Sequence, residues 1–137
     1  MDKISDRELY ERATKARENA YAPYSGFRVG AALLTDDGRV FTGVNVENSS
    51  YGGTICAERV AFTKAISEGV RAFEAIAVSA GEEQALPCGI CRQFMSEFNG
   101  NIRIITGTSG DRLQVTTLEE LMPQTFALDS KNSGGRK

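Results

Sequence analysis

Three cysteines, at positions 56, 88 and 91, and no histidine define the chemistry open to this chain. They stand as Cys56-Ala57-Glu58 and Pro87-Cys88-Gly89-Ile90-Cys91. Three thiolates can hold a zinc ion and leave its fourth tetrahedral position for water, the ligand count of a catalytic zinc rather than a structural one. Glu58 lies two residues from one of these ligands, where a carboxylate can move protons for that water. With no imidazole, Ser-His-Asp triads, Cys-His proteases and His-Glu-x-x-His zinc proteases are excluded.

Three thiolates around one dication need added positive charge. Cys56 and Cys88 both fall at expected helix starts, and each helix N-terminus contributes about +0.5 charge and lowers a thiol pKa. Cys91 follows Cys88 by one helical turn, so the two point the same way. Arg59 can hydrogen-bond the sulfurs and add a full charge. Each piece also has a plain reading. A lone Cys-x-x-Cys is more often a redox pair or half a structural zinc site. A lone Glu in a first turn suits the helix dipole, and a lone Arg is a solvated surface residue. The combination is far more specific than its parts.

The elements that must position these residues follow from periodicity and turn chemistry. Residues 5–21 read as an amphipathic helix, with Ser5 and Glu8 at capping-box spacing and Leu9, Ala13, Ala16 and Ala20 recurring at helical intervals. Strands are expected over 28–35 and 39–46 around the Asp36-Asp37-Gly38 turn, then a loop over 47–55. A second helix spans 56–67, a central strand 75–80 and a third helix 88–98, stopped by Asn99-Gly100. Strands at 102–106 and 112–115 and a short helix at 118–122 capped by Thr117 complete the order, which implies one sheet with helices on its faces. The tail from Asp129 is polar and Gly-rich, so a single domain over 1–128 and a flexible 129–137 are expected.

Composition narrows the partners. Among 137 residues, 41% are apolar and 25% charged, a globular balance. The formal net charge of -2 and the lack of a basic stripe argue against a nucleic-acid partner. No apolar run approaches the ~20 residues that span a bilayer, and residues 1–6 carry no apolar signal-peptide core. An odd cysteine count is a poor disulfide framework, which favours a reducing, cytoplasmic setting.

Taken together, these motifs resemble the small homotetrameric cytidine deaminases with three cysteine ligands. The likeness runs from about Tyr21 to Phe126 and includes Tyr-Ala-Pro-Tyr-Ser at 21–25, Phe27-Arg28-Val29-Gly30-Ala31-Ala32, Gly43-Val44-Asn45-Val46-Glu47-Asn48, Cys56-Ala57-Glu58-Arg59, Pro87-Cys88-Gly89-Ile90-Cys91-Arg92-Gln93 and Leu121-Met122-Pro123-Gln124-Thr125-Phe126. It implies a three-layer α/β/α sandwich on a mixed five-stranded sheet, with one zinc per chain. It implies deamination of cytidine and deoxycytidine for pyrimidine salvage, with Glu58 as the proton carrier. It further implies that Asn45 and Glu47 bind the ribose hydroxyl, that Phe27 packs on the pyrimidine, that the Ala57 N–H meets O2, and that Phe126 is lent to a neighbouring subunit's pocket. Leu86, Ile90 and Gly53 depart from the family pattern, none of them at a ligand or at Glu58. Two other readings stay open from sequence: a deaminase of another aminopyrimidine nucleoside such as blasticidin S, and a non-enzymatic zinc or thiol-redox module.

Overall fold

The computed structural model describes residues 3–98 and 100–129. Helix α1 (Asp6–Ala16) is followed by strands β1 (Gly30–Thr35) and β2 (Val40–Val44), helix α2 (Ala57–Ser67), strand β3 (Phe73–Ser79) and helix α3 (Gly89–Ser96). Strands β4 (Arg103–Ser109) and β5 (Arg112–Thr117) and helix α4 (Leu118–Leu121) complete the order. The five strands form one sheet in the order β2-β1-β3-β4-β5. All neighbouring pairs are antiparallel except β3 and β4, which run parallel because α3 crosses between them. The expected mixed five-stranded sheet is thus present.

Side-chain alternation along β1 and β3 separates two cores. Ala31, Leu33, Ile76 and Val78 join Phe62 of α2 and Cys91 and Met95 of α3 on one face. Ala32, Leu34, Ala75 and Ala77 meet Leu9, Tyr10 and Ala13 of α1 on the other. Helices therefore cover both faces. Small residues set how closely they approach. A Cβ at Gly30 would stand 2.0 Å from the Ala13 carbonyl oxygen, and one at Gly43 would stand 2.5 Å from the Ala57 carbonyl oxygen and from the Ala61 nitrogen. The sheet touches α1 and α2 backbone to backbone at those points.

Strand register decides where the helices begin. Gly30 pairs with Val44 on one side and with Ser79 on the other. The carboxyl ends of β2 and β3 therefore lie in one row across the sheet. The segments that leave them lead into α2 and α3, so both helix N-termini arise at the same end of the molecule.

Several element bounds differ from the sequence expectation. The first helix ends at Ala16 and tightens into a 3-10 turn over Arg17–Asn19. β1 begins at Gly30 rather than 28; the Phe27 carbonyl and the Val29 N–H bond to a side chain, described below. Cys56 and Cys88 are N-caps rather than first helical residues. β4 and β5 run on to Ser109 and Thr117. The Thr117 cap is present as a full capping box with Glu120. The stop expected at Asn99 and tail residues 130–137 lie outside the described residues.

Candidate active site

The row of strand ends carries a pocket of about 220 Å³. That is room for about seven waters at ~30 Å³ each, the scale of a small ring compound rather than a polymer. Val29, Asn45 and Val78 come to it from the sheet end, Phe27 from the segment before β1, and Cys56, Ala57 and Glu58 from the start of α2. Ala85, Leu86 and Cys88 form the remaining side.

The three sulfurs converge beside it. The Sγ atoms of Cys56, Cys88 and Cys91 all lie within 4.8 Å of one another. Cys56 and Cys88 are 3.8 Å apart. Zn–S bonds of about 2.3 Å in a tetrahedron require sulfurs about 3.8 Å apart; the Cys56–Cys88 pair has that separation, and all three sulfurs are close enough to share one ion after at most small side-chain shifts. Both Cys56 and Cys88 adopt extended backbone at N-cap positions, and neither side chain caps its own helix. Their sulfurs are turned to the cluster instead of to the backbone N–H groups.

Electrostatics supports the same assignment. The Cys56 thiol is held down to about 5, first by its hydrogen bond with Cys91 and then, against burial, by Arg59 and Cys88. Cys91 is pushed upward by that same hydrogen bond, by burial and by the charges of Glu58 and Cys56. Three thiols this close cannot all shed protons unless a cation joins them. Burial works to lower Arg59, but its hydrogen bonds to Cys56 and Cys91 outweigh that and raise it. Its Nε is buried and has no hydrogen-bond partner.

Glu58 is 4% exposed. Burial raises its carboxyl to about 7, with the Cys56 charge adding and its own backbone and Arg59 opposing. A carboxyl poised there can both accept and give a proton at neutral pH. It lines the pocket beside Cys56.

The matched family model is that of the cytidine and deoxycytidylate deaminase zinc-binding region, over residues 3–108. The chain belongs to that family. A cytidine deaminase of Sporosarcina psychrophila is 51% identical over 122 residues, 87% of this chain and 89% of the relative. One of Halalkalibacterium halodurans is 48% identical over 126 residues, 90% of this chain and 96% of the relative. The crystal structure of cytidine deaminase from Burkholderia pseudomallei superposes with a TM-score of 0.84 at 45% identity, covering 90% of this chain and all of that one. As a member of the deaminase family the chain takes zinc, and the cysteine cluster is the donor set that fits it.

The other residues expected from sequence divide. Phe27, Asn45 and Ala57 line the pocket. Asn45 also braces it: its Nδ2 donates to the Phe27 carbonyl at 2.7 Å and its Oδ1 accepts from the Val29 N–H at 3.0 Å. The side chain extends the pairing of this segment, beside the Asn45 backbone N–H that donates to the Val29 carbonyl at 3.2 Å. One N–H and one lone pair remain for a ligand. Glu47 does not line the pocket. Its carboxylate accepts from the Tyr24 N–H at 3.0 Å, the Ser25 N–H at 3.1 Å and the Ser25 hydroxyl, and the Ser25 hydroxyl is the main reason it is held below the usual carboxylate range. Phe126 is also outside the lining and 64% exposed, its carbonyl accepting from Gln93 Nε2 at 3.0 Å.

Sequence reasoning gave no role to the residues that brace the Cys88 loop. Arg92 donates from Nε to the Pro87 carbonyl at 2.8 Å and from Nη1 to the Leu121 carbonyl at 3.0 Å. Gln84 donates to Thr106 Oγ1 at 2.9 Å and to Gln114 Oε1. Only the Arg92-Gln93 pair after Cys91 signalled any of this in the sequence.

Proposed function

We propose that this protein hydrolyses cytidine and deoxycytidine to uridine and deoxyuridine, releasing ammonia. One observation carries the reading: a buried carboxyl at the edge of a three-sulfur cluster, opening on a pocket sized for one ring. Zinc, when bound, supplies Lewis-acid activation of water. Phe27 packs on the pyrimidine, and the Ala57 N–H at the start of α2 faces O2. Glu58 takes a proton from the attacking water and places it on ring N3, as C4 gains the oxygen. It then carries the second water proton to the exocyclic amine, the C4–N bond breaks, and ammonia leaves. Atoms balance as one water in and one ammonia out. Arg59 offsets the negative charge of the three thiolates. Asn45 offers its remaining N–H to the sugar. Glu47 reaches the sugar hydroxyl by exchanging part of its hold on the Tyr24–Ser25 turn.

The chain further acts as a homotetramer in which Phe126 enters a neighbour's pocket, residues 1–128 being the working unit. Exposed Tyr51, Ile90, Phe126 and Leu128, at 92, 65, 64 and 69% exposure, are apolar surface of the kind that subunits cover. Among the described residues no helix is long and apolar enough to cross a membrane, and the role assigned is cytoplasmic pyrimidine salvage. A blasticidin-S deaminase of Bacillus cereus is 32% identical, well below the 51% and 48% of the cytidine deaminases, and a structural or redox zinc module has no use for a buried Glu58.

The deciding experiment is ultraviolet absorbance of cytidine with purified protein, before and after chelation and after zinc return. Turnover that is lost on chelation and restored by zinc supports the reading. A protein holding one zinc per chain that deaminates no pyrimidine nucleoside refutes it.

A further inference from the structure

We infer that Leu86 sets the size of substituent the pocket accepts at carbon 5 of the pyrimidine ring. The inference rests on the deaminase reading and deepens it.

Two chain segments flank the sulfur cluster, residues 54–58 leading into α2 and residues 85–88 leading into α3. They meet where the Cys56 and Cys88 sulfurs lie 3.8 Å apart. Proton work by Glu58 at N3 and the Ala57 N–H at O2 turn the N3–O2 edge of the ring toward the first segment. C4 then sits over the sulfurs. A six-membered ring held in that way presents its C5 edge to the second segment, just beyond C4.

That segment offers two side chains to the pocket ahead of Cys88, Ala85 and Leu86. Ala85 is small and packs partly against the core. Leu86 is branched and 48% exposed at the rim. Its side chain is the larger of the two and reaches the pocket, so its length bounds the gap available to a ring substituent.

The backbone beneath it is held from both sides. Gln84 ties the near end to Thr106 on β4 and Gln114 on β5. Pro87 is buried, and its carbonyl is gripped by Arg92 at 2.8 Å. A larger substituent therefore cannot be met by retreat of the loop, and the bulk of the residue 86 side chain sets the limit. An apolar wall also disfavours hydroxylated or charged C5 groups, which would lose water without gaining a partner.

The test uses the zinc-loaded protein and the variants Leu86→Ala, Leu86→Val and Leu86→Phe. Two ratios are read: kcat/KM for 5-methylcytidine over cytidine, and the product affinities of 5-methyluridine over uridine by calorimetry. Taking ratios cancels any general loss of activity. Both should rise about 10-fold in Leu86→Ala, the low end of what one methyl group is worth in an apolar pocket. They should rise less in Leu86→Val and fall in Leu86→Phe. Leu86→Val keeps the test open if the alanine variant folds poorly. Ratios within twofold of the parent across the series would overturn the assignment of Leu86. A parent protein inactive on cytidine would instead overturn the deaminase reading itself.

Discussion

Replacing Gly43 with alanine should damage the site from behind. Gly43 lies on β2, and its missing side chain is what lets α2 lie against the sheet. An added Cβ would meet the Ala57 carbonyl oxygen and the Ala61 nitrogen at 2.5 Å and the Ala61 Cα at 3.1 Å. Ordinary van der Waals contact begins at 3.4 Å, so the shortfall is about 0.9 Å, and every atom met is backbone. No side chain can rotate aside, and α2 must lift. Overpacking of this kind costs about 1–3 kcal/mol. At about 3–5 °C per kcal/mol for a chain of this size, Tm should fall by roughly 3–15 °C. Activity should suffer more than stability. Ala57 and Glu58 are in the first turn of the displaced helix, and a misplacement of about 1 Å costs on the order of 100-fold in rate. Gly38→Ala is the control. Its φ of +91° strains an alanine, but no atom lies within 4 Å of the new Cβ, so stability should drop by about 1 kcal/mol with turnover intact. The assay is a thermal melt alongside cytidine turnover, with zinc content measured on each sample. A Gly43→Ala protein with parental Tm and parental rate would refute the claim that β2 and α2 are in backbone contact.

Three other outcomes are expected. Cys91→Ala should lose zinc by metal analysis, since the buried third sulfur is removed; one tightly bound zinc per chain in that variant would contradict the ligand set. Glu58→Gln should keep its zinc and its melting temperature while losing about 10²–10⁴ in rate, and near-parental turnover would discard the proton role. At the β1–β2 turn, the Asp37 carboxyl is held at about 2, first by the Thr35 hydroxyl and then by Arg39, against an ordinary 3.8. Because the folded value is depressed, the turn's contribution is complete above about 3.8 and is lost as pH falls through about 2. In an NMR titration Thr35→Val should move the Asp37 midpoint up toward 3.8, and an unmoved midpoint would show that the hydroxyl does not hold it.

Residue type and spacing made the sulfur cluster legible in the sequence. Three cysteines in a chain without histidine, two of them one helical turn apart, leave few ways to build a metal site, and the three sulfurs do converge. Sheet order was legible only as a class, because register depends on pairings far apart in the chain. The residues that shape the pocket were harder to read. Asn45 looks like turn chemistry after a strand, yet its amide bonds the Phe27 carbonyl and the Val29 N–H ahead of β1. Gln84 and Arg92 act through hydrogen bonds to residues 22 and 29 positions away, which no local pattern encodes. Strand and helix ends slipped by a few residues for a related reason. Arg17 turns its Nε to the Arg28 carbonyl at 2.9 Å, where the α-helix has already given way to a 3-10 turn.

The two helices that begin at Cys56 and Cys88 lack the side-chain fastening that Ser5 gives α1 through the Glu8 N–H. A cation held by the three sulfurs would therefore act as a rivet as well as a reagent, joining two helix openings that no side-chain cap fastens. Withdrawing it would leave the α1 side of the sheet, locked by Tyr10 on the Gly107 carbonyl, untouched. The opposite side would soften at its catalytic rim first. Chelation would then loosen this side locally and reversibly before the fold collapses, and restoring the metal would reseat both helices at once.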